Sequence, residues 1–264
     1  MKDIDKYLKR LNLEERPVKS YDFLSALHHA HFFNVPFENF SVNDTSDVGL
    51  SRDEIFTKVV LNNKGGICFE FSVLLQELFY HVGFSYEVRL ARLLIPHTTP
   101  ATHQLFILNV GNERWLFDVG FGAKGPRNLL LMADGYVHND PFLSARITED
   151  VVQGWIVSVK ENNKLDAVWE DIYSFHDVAT FPADISMAYF YTLNSPESLL
   201  NTNNVASLPK ENGRISIRND IFTEVNGFDS MSVEMSDDEE ASRVLKMRFG
   251  VSLTPEMISH ARKK

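Results

Sequence analysis

The hydrophobic pattern of this chain changes at Gly83. Before Gly83, apolar residues recur at the three- and four-residue spacing of a helix face, as in the run from Phe69 to Phe79, and glycine is a common helix stop. After it, apolar and polar residues alternate in short runs bounded by glycine, asparagine and proline, as they do in β-strands. A block of helices followed by a block of strands predicts an α+β fold with an antiparallel sheet.

Helices are predicted at both ends of the chain. The N-terminal ones have apolar spacing over residues 4–11, 23–32, 55–60 and 69–79, and a chain break is expected near Pro36. Capping boxes, in which a serine and a glutamate three residues later bind the first helical N–H groups, are predicted at Ser51 and at Ser236. A final helix is predicted from Thr254 to the basic residues Arg262, Lys263 and Lys264.

The middle of the chain is predicted to be β-structure. Gly111-Asn112 predicts a hairpin turn, and strands are predicted at residues 86–90, 104–110, 114–117, 154–160, 167–172 and 214–225. Residues 195–213, rich in Ser, Asn and Pro, are interpreted as a boundary or a long surface connection. We predict three units: a helical bundle over 1–84, an antiparallel β-barrel or sheet over 85–195, and an α/β lid over 196–264.

Composition narrows the class of protein. The net charge of −10 disfavours nucleic acid as a partner, and no apolar stretch approaches the roughly 18 residues of a membrane span. One cysteine excludes an internal disulfide, and the first residues have no apolar signal core. We therefore expect a cytoplasmic protein, with no membrane or nucleic-acid partner.

The single cysteine, Cys68, follows Gly65 and Gly66 at the start of a predicted helix. The first turn of a helix favours a thiolate, because its unpaired N–H groups carry partial positive charge. Taken alone, a cysteine in an apolar run is more often a small buried hydrophobe. A catalytic interpretation requires partner residues.

Two residues fit as partners of Cys68. His103 opens a predicted strand, and Asp118 ends the next one, so a hairpin brings them to a similar height. A thiolate nucleophile uses a histidine as base and a third group that orients the histidine. Each residue also has an ordinary reading, as a strand-end histidine and a turn aspartate. The order Cys, His, Asp at element ends predicts a cysteine-protease-like triad.

Four short motifs make the chain resemble the arylamine N-acetyltransferase family. They are Pro36-Phe37-Glu38-Asn39, the run from Gly65 to Glu70, Thr102-His103, and Asp118-Val119-Gly120-Phe121-Gly122. The resemblance is good in the first half of the chain and weaker afterwards. Lys64 stands where the family usually has arginine, Ser72 where it has asparagine, and Tyr189 and Leu200 where it has Asn and Phe.

The resemblance implies acetyl-CoA as donor and an arylamine or arylhydrazine as acceptor, with a ping-pong cycle through an acetyl-thioester on Cys68. It implies no metal. By the same resemblance, three residues would line the acceptor pocket: Phe37, Ile67 and Phe121. The pantetheine arm or the acetyl group would contact Thr102 and Gly122 near the triad. The phosphates of coenzyme A would meet backbone N–H groups or local cations such as Lys124 and Arg127.

The same residue types also occur in proteins with other functions. An amide synthase, or a papain- or transglutaminase-like hydrolase, uses the same three residue types, and the Asp118 to Gly122 turn argues against the hydrolases but not against the synthase. A non-catalytic binding protein would be expected to have lost part of the triad. A metal site at His28 and His31 is rejected, because no cysteine or carboxylate completes the ligand set and the helix is expected to be a solvent-rimmed core helix.

Overall fold

The computed structural model of the protein describes residues 2–43 and 50–262. Its N-terminal part is helical, as predicted, with one short strand, β1 (Phe37–Glu38), among the helices. The helices are α1 (Lys2–Arg10), α2 (Tyr21–Asn34), α3 (Phe40–Asn43), α4 (Arg52–Ile55), which continues as a π-helical turn over Phe56–Leu61, and α5 (Cys68–Val82).

Local signals explain where these helices begin and end. Ser20 caps α2 by accepting a hydrogen bond from the Phe23 backbone N–H at 3.1 Å. Gly83 ends α5 in the left-handed conformation, with φ +85°, which glycine adopts without strain. The capping box predicted at Ser51 and Glu54 is wrong, because Ser51 precedes α4 but its side chain makes no capping bond.

The strands after Gly83 form an eight-stranded antiparallel sheet in the order β5-β4-β3-β2-β9-β8-β7-β6. The two ends of this order approach each other, so the sheet is nearly closed into a barrel. The predicted hairpin is confirmed, since Val110 pairs with Glu113 around Gly111-Asn112. The strands are β2 (Ser85–Leu93), β3 (Ala101–Val110), β4 (Glu113–Phe117), β5 (Leu130–Leu131), β6 (Tyr136–His138), β7 (Leu143–Asp150), β8 (Gly154–Glu161) and β9 (Glu170–Phe175).

Two apolar cores flank this sheet. The helices α1, α2 and α5 bury Leu24, Leu75 and Phe79 against one face, together with Phe117 of β4. The other face encloses a second core that includes Ile107, Leu116 and Val157. Packing on both faces fixes the strands whose ends carry His103 and Asp118.

A five-stranded antiparallel sheet lies at the C-terminal end, in the order β1-β10-β11-β12-β13. Its helices α8 (Asp238–Val244), which continues as a π-helical turn over Leu245–Phe249, and α9 (Pro255–Arg262) cover one face through an apolar core. The strands are β10 (Val205–Lys210), β11 (Gly213–Arg218), β12 (Ile221–Asn226) and β13 (Asp229–Glu234). Because β1 pairs with β10, residues of the first and third predicted units share one sheet.

The interpretation of residues 195–213 as a connection is wrong. This segment contains α7 (Leu199–Thr202) and β10, and the helix α6 (Pro182–Asn194) precedes it. Local composition hides β10, because the strand is stabilised by pairing with both β1 and β11. The capping residue of α8 is Asp237 instead of Ser236, since the Asp237 carboxylate accepts from the Glu240 N–H at 2.8 Å.

One sequence prediction ends outside the part of the chain that the structure describes. The last helix, α9, is present, but Lys263 and Lys264, predicted as its basic end, lie outside the described residues.

Among the described residues, no helix combines the length and the apolar character needed to cross a bilayer.

Candidate active site

The start of α5 is built by close contact between two glycines and β1. A β-carbon on Gly65 would lie 2.2 Å from the Pro36 carbonyl oxygen, so only glycine fits there. The Glu38 N–H donates to the Gly66 carbonyl at 2.9 Å, and the Gly65 N–H donates to the buried Glu38 carboxylate at 3.1 Å. The Pro-Phe-Glu-Asn motif therefore positions the turn that leads into Cys68.

Glu70 caps the first turn of α5. Its Oε2 accepts from the Ile67 N–H at 3.0 Å, and its Oε1 lies 2.6 Å from Nζ of Lys58 on the π-helical turn after α4. Both side chains of this ion pair are largely buried, so the pair is held in one geometry. Lys58 thus supplies a positive charge next to the segment that contains Lys64, the residue that stands where the resembled family usually has arginine.

His103 and Asp118 meet beside this helix start, at the ends of neighbouring strands. His103 is the third residue of β3, Asp118 follows β4, and both side chains are buried. The His103 Nε2–H donates to Asp118 Oδ2 at 2.9 Å, and Asp118 Oδ1 accepts from the Gly120 N–H at 2.9 Å. This leaves His103 Nδ1 as the ring nitrogen available to the Cys68 thiol.

The electrostatics of this group favour a charged imidazole. Burial lowers the pKa of His103, but the Asp118 carboxylate and then the Cys68 thiol outweigh burial and raise it from 6.5 to about 10. Burial likewise raises the pKa of Asp118, yet the positive charge of His103 and the bonds it receives hold that pKa below its ordinary value. The arrangement therefore stabilises an imidazolium at His103.

Two residues that were not predicted as site residues support the group. His28 of α2 is fully buried and donates from Nε2 to the Asp118 backbone carbonyl at 2.8 Å. The buried ring of Tyr173 lies 5.1 Å from the ring of His103. Its hydroxyl makes no hydrogen bond within the described residues, but it helps to lower the pKa of Asp118. No sequence signal marks Tyr173. Of the α2 histidines, His28 and His31 are fully buried core residues, whereas His29 is exposed.

Gly120 brings the turn after β4 directly against Cys68. A β-carbon on Gly120 would lie 2.6 Å from the Cys68 Cβ and 2.8 Å from its Cα. No side chain larger than hydrogen fits at this contact, so the glycine sets the separation between Cys68 and Asp118.

We predict that Gly120→Ala pushes this turn away from α5. Overpacking of this kind costs about 1–3 kcal/mol, and the displaced partners should slow alkylation of Cys68 by iodoacetamide at neutral pH. Gly135→Ala is the control, because its β-carbon meets nothing within 4 Å, and it should cost about 1 kcal/mol from its positive φ alone. Unchanged alkylation and stability in Gly120→Ala would contradict this contact.

Cys68 and His103 open onto a cleft of about 370 Å³. Its walls come from the β2–β3 loop, the end of α6 with α7, and the strands β10 and β11. The cleft is mainly apolar, and it includes three residues predicted for substrate or coenzyme contact: Phe37, Phe121 and Thr102. Such a space suits a flat apolar group presented to the thiol.

Asn39 fixes the far wall of this cleft. Its buried amide donates to the carbonyls of Leu200 and Asn203 at 2.7 and 2.8 Å, and its oxygen accepts from the Val205 N–H at 2.7 Å. Leu200 lines the cleft at the position where the family usually has Phe, whereas Tyr189 packs against Phe69 at a ring distance of 5.3 Å.

Four of the predicted contact residues lie elsewhere. Ile67 has no exposed surface and belongs to a core cluster, and Gly122 packs against Ser207 and Phe37, where a β-carbon would lie 2.7 Å from the Ser207 hydroxyl. Lys124 is partly exposed and lies 3.9 Å from Glu161. None of these three, nor Arg127, is among the described residues that line the cleft.

Arg127 is a structural residue instead of a surface cation. Its guanidinium is buried and donates to the backbone carbonyls of Glu211, Lys210 and Gly213 at 2.7–2.9 Å. These bonds hold the turn between β10 and β11. The structure therefore gives no support to the predicted phosphate contact at Arg127.

We predict that Arg127→Gln lowers the free energy of unfolding by about 2–4 kcal/mol, because three backbone carbonyls lose the charged donor that the buried Arg127 supplies. Urea denaturation measures this change. Lys124→Gln is the matched control and should change stability by less than about 0.5 kcal/mol, since Lys124 is partly exposed. A loss below about 1 kcal/mol in Arg127→Gln would contradict the assigned role.

The chain is similar to known N-acetyltransferases along most of its length. The family model described as N-acetyltransferase matches residues 20–258. The arylamine N-acetyltransferase / N-hydroxyarylamine O-acetyltransferase of Salmonella typhimurium is 25% identical over 253 residues, which cover 94% of this chain and 88% of that protein.

Solved structures share the fold. The arylamine N-acetyltransferase of Salmonella typhimurium superposes with a TM-score of 0.88 at 22% identity, covering 100% of this chain and 98% of that one. The Mycobacterium marinum enzyme in complex with CoA gives a TM-score of 0.86 at 20% identity, with 98% of both chains covered. The family model spans most of the chain, and on that ground the chain belongs to the arylamine N-acetyltransferase family.

Proposed function

We propose that this protein transfers an acetyl group from acetyl-CoA to an arylamine or arylhydrazine through a thioester on Cys68. The observation that carries the proposal is the buried His103–Asp118 pair beside Cys68, at the end of a largely apolar cleft. Family membership supports the donor and the acceptor class, because relatives along nearly the whole chain are arylamine N-acetyltransferases.

The first half-reaction loads the enzyme. His103 accepts the thiol proton, and the Cys68 thiolate attacks the acetyl carbon of acetyl-CoA. The carbon–sulfur bond to coenzyme A breaks, and the departing thiolate takes the proton from the His103 imidazolium. Asp118 stabilises that imidazolium and keeps Nδ1 directed at Cys68, because it binds the hydrogen on Nε2.

The second half-reaction delivers the acetyl group. The acceptor nitrogen attacks the thioester carbon while His103 removes a proton from that nitrogen. The bond between carbon and the Cys68 sulfur then breaks, and the thiolate and imidazolium are restored. The Cys68 backbone N–H, at the positive end of α5, is a suitable donor to the oxyanion formed in both steps.

The cleft residues account for an aromatic acceptor. The ring of Phe121 lies 5.6 Å from that of His103 and 5.5 Å from that of Tyr173, and Phe37 also lines the cleft. A flat ring bound between such side chains places its amine toward Cys68. Thr102 is positioned near the triad to contact the donor. The cytoplasm, as the place of action, stays a prediction.

Steady-state kinetics tests this proposal. Release of coenzyme A beyond the single equivalent that loads the enzyme should require an arylamine or arylhydrazine. Double-reciprocal plots at several fixed acceptor concentrations should be parallel, as in a ping-pong cycle. An aliphatic amine of similar size is the control acceptor. The proposal is wrong if no aromatic amine or hydrazine accelerates release of coenzyme A.

A further inference from the structure

The cleft contains one fixed cation that the proposed mechanism does not use. Of its described lining residues, Arg218 is the only lysine or arginine, and Glu197 the only carboxylate. The net charge of the chain is −10, so an anionic ligand is repelled by most of the surface. Arg218 is exposed to solvent, and it gives the cleft lining a positive charge that favours an anionic group on a bound ligand.

The strand register places Arg218 at a defined height above the catalytic end. Phe37 of β1 pairs with Ser207 of β10, and Ser207 pairs with Ser216 of β11. Arg218 is two residues beyond Ser216, so both side chains lie on the same face of the sheet. Two strand spacings across and two residues along correspond to about 12 Å between the backbones of Phe37 and Arg218.

The Arg218 guanidinium is held by a chain of hydrogen bonds. Its Nε donates to Asn203 Oδ1 at 3.1 Å, and the Asn203 amide donates to the Leu199 carbonyl at 3.0 Å. The Asn203 carbonyl in turn accepts from buried Asn39. Fixing Nε in this way leaves Nη1 and Nη2 of Arg218 as a two-pronged donor.

No carboxylate in the described part of the chain neutralises this donor. Among the described residues, Arg218 takes part in no ion pair with a carboxylate within 4.0 Å. Glu197 contacts the Tyr191 hydroxyl at 3.5 Å. The guanidinium is therefore available to a ligand that reaches from Cys68 toward the α7 side of the cleft.

We propose that Arg218 binds an oxyanion of a substrate whose reactive end lies at Cys68. This inference rests on the proposed function, and it identifies Arg218 as the residue that favours negatively charged substrates in the same cleft. A phosphate of coenzyme A and a carboxylate on the ring of an aromatic acceptor offer the same chemistry, because both accept two parallel N–H donors. Lys124 and Arg127, predicted from the sequence for this task, lie outside the cleft.

The experiment compares Arg218→Gln, Arg218→Lys and the control Arg243→Gln, which removes an exposed arginine on α8. Acetylation of Cys68 is followed by intact mass with acetyl-CoA and with a phosphate-free acetyl thioester of N-acetylcysteamine. Decay of the acetyl-enzyme is followed with 4-aminobenzoate and with the neutral 4-aminobenzamide. In one of these two substrate pairs, Arg218→Gln should slow the reaction of the anionic substrate, acetyl-CoA or 4-aminobenzoate, by about 10- to 100-fold. The rate of Arg218→Lys should lie between those of wild type and Arg218→Gln.

The two arms identify the source of the oxyanion. A loss with acetyl-CoA alone assigns the phosphate, and a loss with 4-aminobenzoate alone assigns the carboxylate. Equal losses with charged and neutral substrates, or no loss, would overturn the proposal. If wild-type Cys68 is not acetylated at all, the proposed function fails instead. Calorimetry then tests Arg218 by itself, by measuring how tightly coenzyme A and 4-aminobenzoate bind to wild type and to Arg218→Gln. If each ligand binds the two proteins with the same affinity, the proposal about Arg218 is overturned.

Discussion

Replacing Cys68 with serine is expected to lower kcat for acetyl transfer by about 10⁴-fold or more. The hydroxyl keeps the size and place of the thiol, but it is far less acidic, so His103 cannot hold it as an anion beside Asp118. An ester on serine would also be less reactive toward an amine than a thioester. The change is measured with saturating acetyl-CoA and an arylhydrazine.

The Cys68→Ser protein should keep its fold, because Cys68 is buried and packs among apolar neighbours that the smaller atom leaves in place. Its thermal unfolding midpoint should stay within a few degrees of wild type, which separates loss of chemistry from loss of structure. Retention of more than about one hundredth of the wild-type kcat would show that Cys68 is not the nucleophile.

Replacing Asp118 with asparagine is the second large effect, with an expected loss of about 10⁴-fold in kcat. An amide of the same shape cannot stabilise the imidazolium, and it can orient the wrong tautomer of His103. The pKa of His103 should also fall, because burial, which lowers it, remains while its main opposing charge is removed.

The same substitution changes the pH dependence of stability. The folded-state pKa of His103 is raised from 6.5 to about 10, so its contribution to stability is complete below pH 6.5 and is lost as pH rises toward 10. Wild type should therefore lose more unfolding free energy than Asp118→Asn over this window. The control Asp166→Asn, at an exposed residue, should follow wild type. Equal slopes for all three proteins would contradict the charged pair.

Local signals in the sequence explain why the proximity of Cys68, His103 and Asp118 was predictable. Cys68 starts a helix with clear apolar spacing, and Gly111-Asn112 sets a two-residue turn that fixes the register of β3 and β4. Each of these features depends on neighbouring residues alone. The sequence therefore predicts that these three residues, each at the end of an element, lie close together.

The cleft depends on long-range contacts that no local pattern encodes. Asn39 holds the segment from Leu200 to Val205, more than 160 residues away, and β10 exists because β1 and β11 pair with it. Arg127 shows the same limit, since its position near the triad in the sequence suggested a ligand contact. Its guanidinium instead points into the β10–β11 turn, where three carbonyls take its donors.

The central claim is that Cys68 carries the acetyl group between donor and acceptor. Incubation of the protein with acetyl-CoA, without acceptor, followed by intact mass and peptide mapping, tests it most directly. We expect one acetyl group on Cys68, its removal on addition of an arylhydrazine, and no adduct in Cys68→Ser on the same timescale. An unmodified protein, or an acetyl group on another residue that the arylhydrazine removes, would contradict the account.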